Sequence, residues 1–122
     1  MKENPLIEIS KQFAVEIFHL CNRIRDSKKG NVLVNQLPRS GTSIGANIHE
    51  ANYAASRADF INKLQIALKE CYETEYWLEL FKNTETISVN EYNRAIAQCF
   101  KLRRLLSASV NTAKDNQTER QG

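Results

Sequence analysis

The run Ser40-Gly41-Thr42-Ser43-Ile44-Gly45-Ala46-Asn47-Ile48-His49-Glu50 is built almost entirely from small residues. Leu33, Leu37, Gly41, Ile44, Ile48 and Ala51 keep helical spacing through it, with the two glycines one turn apart on one side. Glycine inside a helix costs about 1 kcal/mol relative to alanine, so two of them call for a compensating contact. Close packing supplies one, because a helix bare of side chains can approach its neighbour to about 8 Å. The stretch therefore predicts the inner helix of an all-α bundle.

The rest of the chain supplies partners for it. Asn4-Pro5 is a helix start, with asparagine as cap and proline at the first helical position. Leu6, Ile9, Phe13, Ile17, Leu20 and Ile24 then form one stripe, and Lys28-Lys29-Gly30 closes a first helix over about 5–28, with Gly30 past its end. Asn31 can cap the second helix, expected over about 32–54 with a kink at Pro38 because the apolar register survives the proline. Ser56-Arg57-Ala58-Asp59 starts a third helix reaching about Asn83, with Phe60, Leu64, Ala67, Cys71, Thr74, Leu78 and Phe81 facing in. Ser88-Val89-Asn90-Glu91 is a full capping box for a fourth, expected to end near Thr112. Short connections imply antiparallel neighbours, hence an up-down-up-down four-helix bundle in one domain over residues 1–114. The polar segment 115–122 is expected to be a disordered tail.

Composition narrows the function classes. The 122 residues carry 17 basic and 14 acidic side chains, a net charge of +3. No apolar run approaches the ~20 residues of a membrane span, and the N-terminus lacks a signal-peptide pattern, so a soluble cytoplasmic protein is expected. Cys21, Cys71 and Cys99 form no C-x-x-C pair and read as buried thiols. A di-metal bundle site needs two Glu-x-x-His pairs and two further glutamates. Only Glu16-Ile17-Phe18-His19 fits, since His49 has Ala46 three residues before it. No metal, cofactor or nucleophilic set is complete, and an enzyme is not expected. Asn47 and Glu50 share a face of the second helix; Asn47 is expected to bond a neighbouring helix and Glu50 to pair with Arg57 or Lys63.

Charge is segregated. Between Arg23 and Arg39 stand Arg23, Arg25, Lys28, Lys29 and Arg39 against the single acid Asp26. Between Tyr92 and Lys114 stand Arg94, Lys101, Arg103, Arg104 and Lys114 with no acid. Arg94, Lys101 and Arg104 fall at i, i+7 and i+10, one helical face, while the third helix is slightly acidic and its Glu70, Glu73, Glu75 and Glu79 are expected to pair with Lys69 or Lys82. Such faces suit a phosphate backbone. The nucleic-acid candidates are therefore Arg94, Lys101, Arg103 and Arg104, supported by Arg23, Arg25, Lys28, Lys29 and Arg39. The alternative partner is another protein, bound through Tyr72, Tyr76 and Trp77 of the third helix, where aromatic surface exceeds what one core needs.

Several motifs together resemble one known family. Gln36-Leu37, Arg39-Ser40, Ser43-Ile44, Ala46-Asn47-Ile48 and Glu50-Ala51 are similar to the signature of the small four-helix-bundle proteins encoded in 23S rRNA intervening sequences. Asp59-Phe60, Lys63-Leu64, Ala67, Lys69-Glu70, Glu73-Thr74 and Trp77-Leu78 resemble the same family's third helix, so the likeness spans about residues 6–108. It implies a left-handed bundle assembled as a homopentamer around a central channel, with a non-enzymatic role. A related accessory protein of diversity-generating retroelements is a basic pentamer that binds nucleic acid and a reverse transcriptase. Arg39, Ser43, Asn47 and Glu50 occupy the family's signature positions, and none carries a catalytic role there. Pro38 departs from the family's common apolar residue.

Overall fold

The computed structural model describes residues 4–121, with side chains through residue 116. Four helices account for it: α1 (Pro5–Asp26), α2 (Gln36–Ala51), α3 (Arg57–Asn83) and α4 (Val89–Gln121), with a 3₁₀ turn (Val32–Asn35) leading into α2. No strand occurs among the described residues.

The starts of α1, α3 and α4 are each set by a side chain that caps the free amides of the first turn, whereas α2 continues from the 3₁₀ turn with no side-chain cap of its own. Asn4 accepts from the Leu6 amide with Pro5 behind it, and Ser56 accepts from the Asp59 amide at 3.1 Å. At α4 the capping box is reciprocal: Glu91 N–H donates to Ser88 Oγ at 3.0 Å and Ser88 N–H to Glu91 Oε1 at 2.9 Å. Burial would raise the Glu91 carboxyl, yet the Ser88 amide and the Arg23 guanidinium hold it below the ordinary carboxylate value.

The helix ends differ from expectation in ways the backbone explains. α1 stops at Asp26, and the left-handed residue beyond it is Lys28 (φ 64°), no glycine among the described residues having positive φ. Gly30 is thus not the residue that turns the chain. Asn31 caps the 3₁₀ turn through the Leu33 amide at 2.8 Å. Pro38 is the third residue of α2, where the backbone N–H it lacks would have no helical partner anyway. The proline therefore sits in the opening turn, in place of a kink within one helix over 32–54. Because a 3₁₀ turn advances three residues per turn, Val34 is buried and Leu33 exposed, the reverse of the expected register. α4 contains no Gly or Pro after Val89 and continues as helix to Gln121, past the expected end near Thr112 and through most of the segment expected to be disordered. Gly122 lies outside the described residues.

Neighbouring helices pack in sequence order, α1 on α2, α2 on α3, α3 on α4 and α4 on α1, and among the described residues neither diagonal pair meets. Residue pairs run in opposite senses across the seams. A Cβ at Gly41 would meet Ile17 and one at Gly45 would meet Ser10. Ser40 lies against Thr74 while Glu50 lies against Lys63. Cys71 lies against Cys99 while Lys82 lies over Tyr92. The core between them holds Phe13, Ile17, Leu37, Ile44, Ile48, Leu64, Leu78, Phe81, Leu102 and Leu106, all fully buried. Ile61 replaces Phe60 in that set; Phe60 is half-buried beneath the Arg57 guanidinium. No described helix is long and apolar enough to cross a membrane.

Candidate nucleic-acid interface

α4 presents Arg94, Lys101 and Arg104 along its outer face. All three are exposed, and none makes an ion pair among the described residues. No acid stands between Glu91 and Asp115, so the stretch of α4 that carries Lys101 and Arg104 holds none, while Arg94 shares its groove with Glu91 and Glu16.

Arg103 lies elsewhere. Nine residues beyond Arg94 is two and a half turns, which aims it across the α3–α4 seam. Its Nε lies 3.2 Å from Glu75 Oε2, and its guanidinium stacks on the rings of Tyr72 (5.2 Å) and Phe100 (4.9 Å). Neither of those two buried atoms has an aligned hydrogen bond, so charge contact holds the pair. Burial pushes the Glu75 carboxyl up while Arg103 pulls it down, and burial prevails.

The cations of the α1–α2 corner do not converge. Arg23 donates to Glu91 Oε2 from its terminal nitrogen at 2.6 Å and from Nε at 3.2 Å, tying α1 to the start of α4. Arg25 is spread over Asn22 and Asn35, and Lys29 reaches the Glu85 carbonyl at 3.5 Å. Lys28 is exposed at the left-handed turn. A cleft at this end of the bundle is lined by Arg23, Lys29 and Lys82 but equally by Asp26, Glu85 and Glu91, which leaves it without a net field. Arg39 belongs to the opposite, α2–α3 seam.

That seam gives the signature positions a role. Arg39 forms ion pairs with Glu73 and, at 3.6 Å, with Glu70 of α3, and its Nε donates to Gln36 at 3.2 Å. Trp77 Nε1 donates to the same Glu73 carboxylate at 3.2 Å. At the far end Glu50 pairs with Lys63 at 3.4 Å, as expected of one of its two candidate partners. Between them Ser40 and Thr74, both fully buried, place their hydroxyl oxygens 3.0 Å apart. Asn47 corrects its expectation: its amide donates to the Ser43 carbonyl (2.9 Å) and Oγ (3.2 Å) within α2, without reaching another helix. Of the four signature positions, Arg39 and Glu50 fasten α2 to α3, while Ser43 and Asn47 bond each other within α2. The carboxylates of α3 pair accordingly with Arg39 and Arg103, and not with Lys69 or Lys82.

No cluster of three metal-ligating side chains occurs among the described residues. His19 and Glu16 line a groove of about 240 Å³ between α1 and α4 together with Phe13, Leu20, Arg23, Glu91 and Arg94, and the His49 ring lies tilted against Tyr53, centroids 5.4 Å apart. All three thiols are free and buried. Burial pushes Cys21 up to about 11 against the pull of Arg25, and the contact with Cys71, together with burial, keeps Cys99 protonated. Cys21 and Cys99 are therefore held in the unreactive thiol form at neutral pH, because the thiolate is the reactive form.

The structure is thus a small all-α protein, an antiparallel four-helix bundle with exposed cations along α4 and polar pairs joining α2 to α3. The chain belongs to the family of the 23S rRNA-intervening sequence protein, which it matches over residues 2–108. It is similar to a protein of unknown function from the S23 ribosomal protein family of Bacteroides thetaiotaomicron, whose crystal structure superposes with a TM-score of 0.84 at 48% identity, covering 86% of this chain and 97% of that one. No curated protein matches the chain.

Proposed function

We propose that this protein is a non-enzymatic, self-associating bundle that binds RNA or DNA through the outer ridge of α4. The observation that carries the proposal is the line of Arg94, Lys101 and Arg104, exposed and making no ion pair among the described residues, on a bundle whose other predicted cations are mostly engaged with its own polar groups. Three buried free thiols suit a reducing cytoplasm. Self-association, pentameric by family likeness, is supported by Val15 and Phe18 on α1, each 55% exposed and less than one turn apart. A protein partner on α3 is the second reading. Tyr72 and Tyr76 favour it by being exposed, whereas Trp77 is half-buried and bonded to Glu73.

Binding that rests on three phosphate contacts has a log–log salt slope of about −2.7, so affinity falls about fortyfold between 50 and 200 mM salt. Gel shifts with structured RNA and duplex DNA across that range provide the test. Arg94→Glu with Lys101→Glu and Arg104→Glu should abolish the shift. Absence of any shift at low salt, or a shift indifferent to salt and to these substitutions, removes the proposal.

A further inference from the structure

Across the α3–α4 edge the fold assembles a surface that neither helix carries alone. Tyr72 and Tyr76 stand one turn apart on α3, 52% and 60% exposed. Arg103 meets Tyr72 from α4, its guanidinium lying against the rings of both Tyr72 and its own helix's Phe100. Tyr76 makes an edge contact with Trp77, ring centroids 5.0 Å apart. Lys69 precedes Tyr72 by three residues and Arg104 follows Phe100 by four, so an exposed cation flanks the rings on each helix. Three carboxylates lie nearby. Glu75 is taken by Arg103 and Glu73 by Arg39 and Trp77, which leaves Glu79 as the acid facing this surface.

We infer that this edge, built by Tyr72, Tyr76 and Arg103 and flanked by Lys69 and Arg104, is a stacking platform for the bases of an unpaired nucleic-acid strand. The inference rests on the nucleic-acid reading above and names the form of strand it takes. Flat rings beside cations match a ligand with planar groups on an anionic backbone, and every base has a face to stack while only an unpaired base offers it. Tyr72 and Tyr76, one turn apart on one side of α3, each offer an exposed phenol ring on which a base can stack. A duplex, whose bases are already stacked, gains only the phosphate contacts of the α4 ridge. Arg103 keeps a place in nucleic-acid binding here as the support that fixes the Tyr72 ring.

The test is a fluorescence titration of the full chain with a 20-nucleotide single strand and with the same sequence as a duplex, at low salt. Trp77, in ring contact with Tyr76, is the reporter. The single strand should bind more tightly than the duplex and quench Trp77. Tyr72→Leu and Tyr76→Leu, which keep apolar bulk and helix propensity, should each weaken single-strand binding on the order of tenfold with duplex binding unchanged. Tyr72→Phe and Tyr76→Phe should restore it. Equal binding of the two forms, unaffected by the leucine variants but lost with Arg94→Glu and Lys101→Glu, overturns the platform and leaves the α4 ridge standing. No binding of either form removes the ridge and the platform together. A change in assembly mass in the leucine variants shows a protein contact on this face and overturns the platform.

Discussion

Gly41 and Gly45 look equivalent in the sequence, and their surroundings are not. A Cβ on Gly41 would come within 3.0 Å of Ile17 Cγ2 and 3.3 Å of Cγ1. Ile17 is fully buried and branched at Cβ, so it has no free rotamer to yield into. A Cβ on Gly45 would meet Ser10 at 3.4 Å or more, an ordinary contact. Gly41→Ala should therefore lose about 1 kcal/mol net, overpacking outweighing the gain in helix propensity. Gly45→Ala should gain up to about 1 kcal/mol. Urea unfolding of the two variants against the parent reads both signs, and equal effects would refute the distinction. Spacing made the shared face legible. Which glycine the neighbour requires was not, because that depends on whether an isoleucine or a serine stands opposite.

At the scale of the element, starts were easier to read than ends. A cap is a local device: Asn4, Asn31, Ser56 and the Ser88–Glu91 box each act within three residues, and each bond is present. Ends depend on which backbone turns left-handed, and here the fold uses Lys28 and Glu85 where glycine would be the favoured residue. After α3 the Thr86 amide donates to the Phe81 carbonyl (2.8 Å) and the Glu85 amide to the Lys82 carbonyl (3.0 Å), closing a turn around Glu85 at φ 59°. Glu85→Gly relieves that conformation and should raise stability by about 0.5–1 kcal/mol after the added entropy of the unfolded chain is counted, seen as a higher melting temperature. Glu91 offers a pH test of its double duty in the cap and in the Arg23 pair. Its carboxyl is held below the ordinary value in the fold, so its stabilisation is present above the unfolded-state value near ~4.3 and disappears as pH falls through the folded one. Glu91→Gln should cost about 0.5–1 kcal/mol at pH 7 and progressively less as pH falls below ~4.3. Glu75, which burial shifts the other way, is common to both proteins and cancels in the comparison. The seam contacts of Arg39 and Arg103 were not legible in this way, because charge spacing along one helix does not reveal which carboxylates the next helix brings opposite.

For the whole molecule, three cations per 14.0 kDa chain make a modest electrostatic contact. A ring of copies would change that, since each added protomer contributes its own ridge and the second engagement on one strand is intramolecular. The bundle leaves Val15 and Phe18 exposed on α1, next to half-buried Ala14, while Arg39 and Glu50 of α2 are already paired with α3. An assembly that uses the α1 face would leave the outer ridge of α4 open. Val15→Asp with Phe18→Asp should then reduce the mass in sedimentation from that of a pentamer to that of one chain. Helical content should be unchanged, because both side chains lie outside the core. With assembly lost, nucleic-acid affinity should fall at least tenfold and the salt slope should shrink toward the about −2.7 of a single ridge. Should the double variant keep its mass, the α1 face is not the contact between copies. Should the parent itself sediment as one chain, avidity plays no part and the α4 ridge must account for all binding alone.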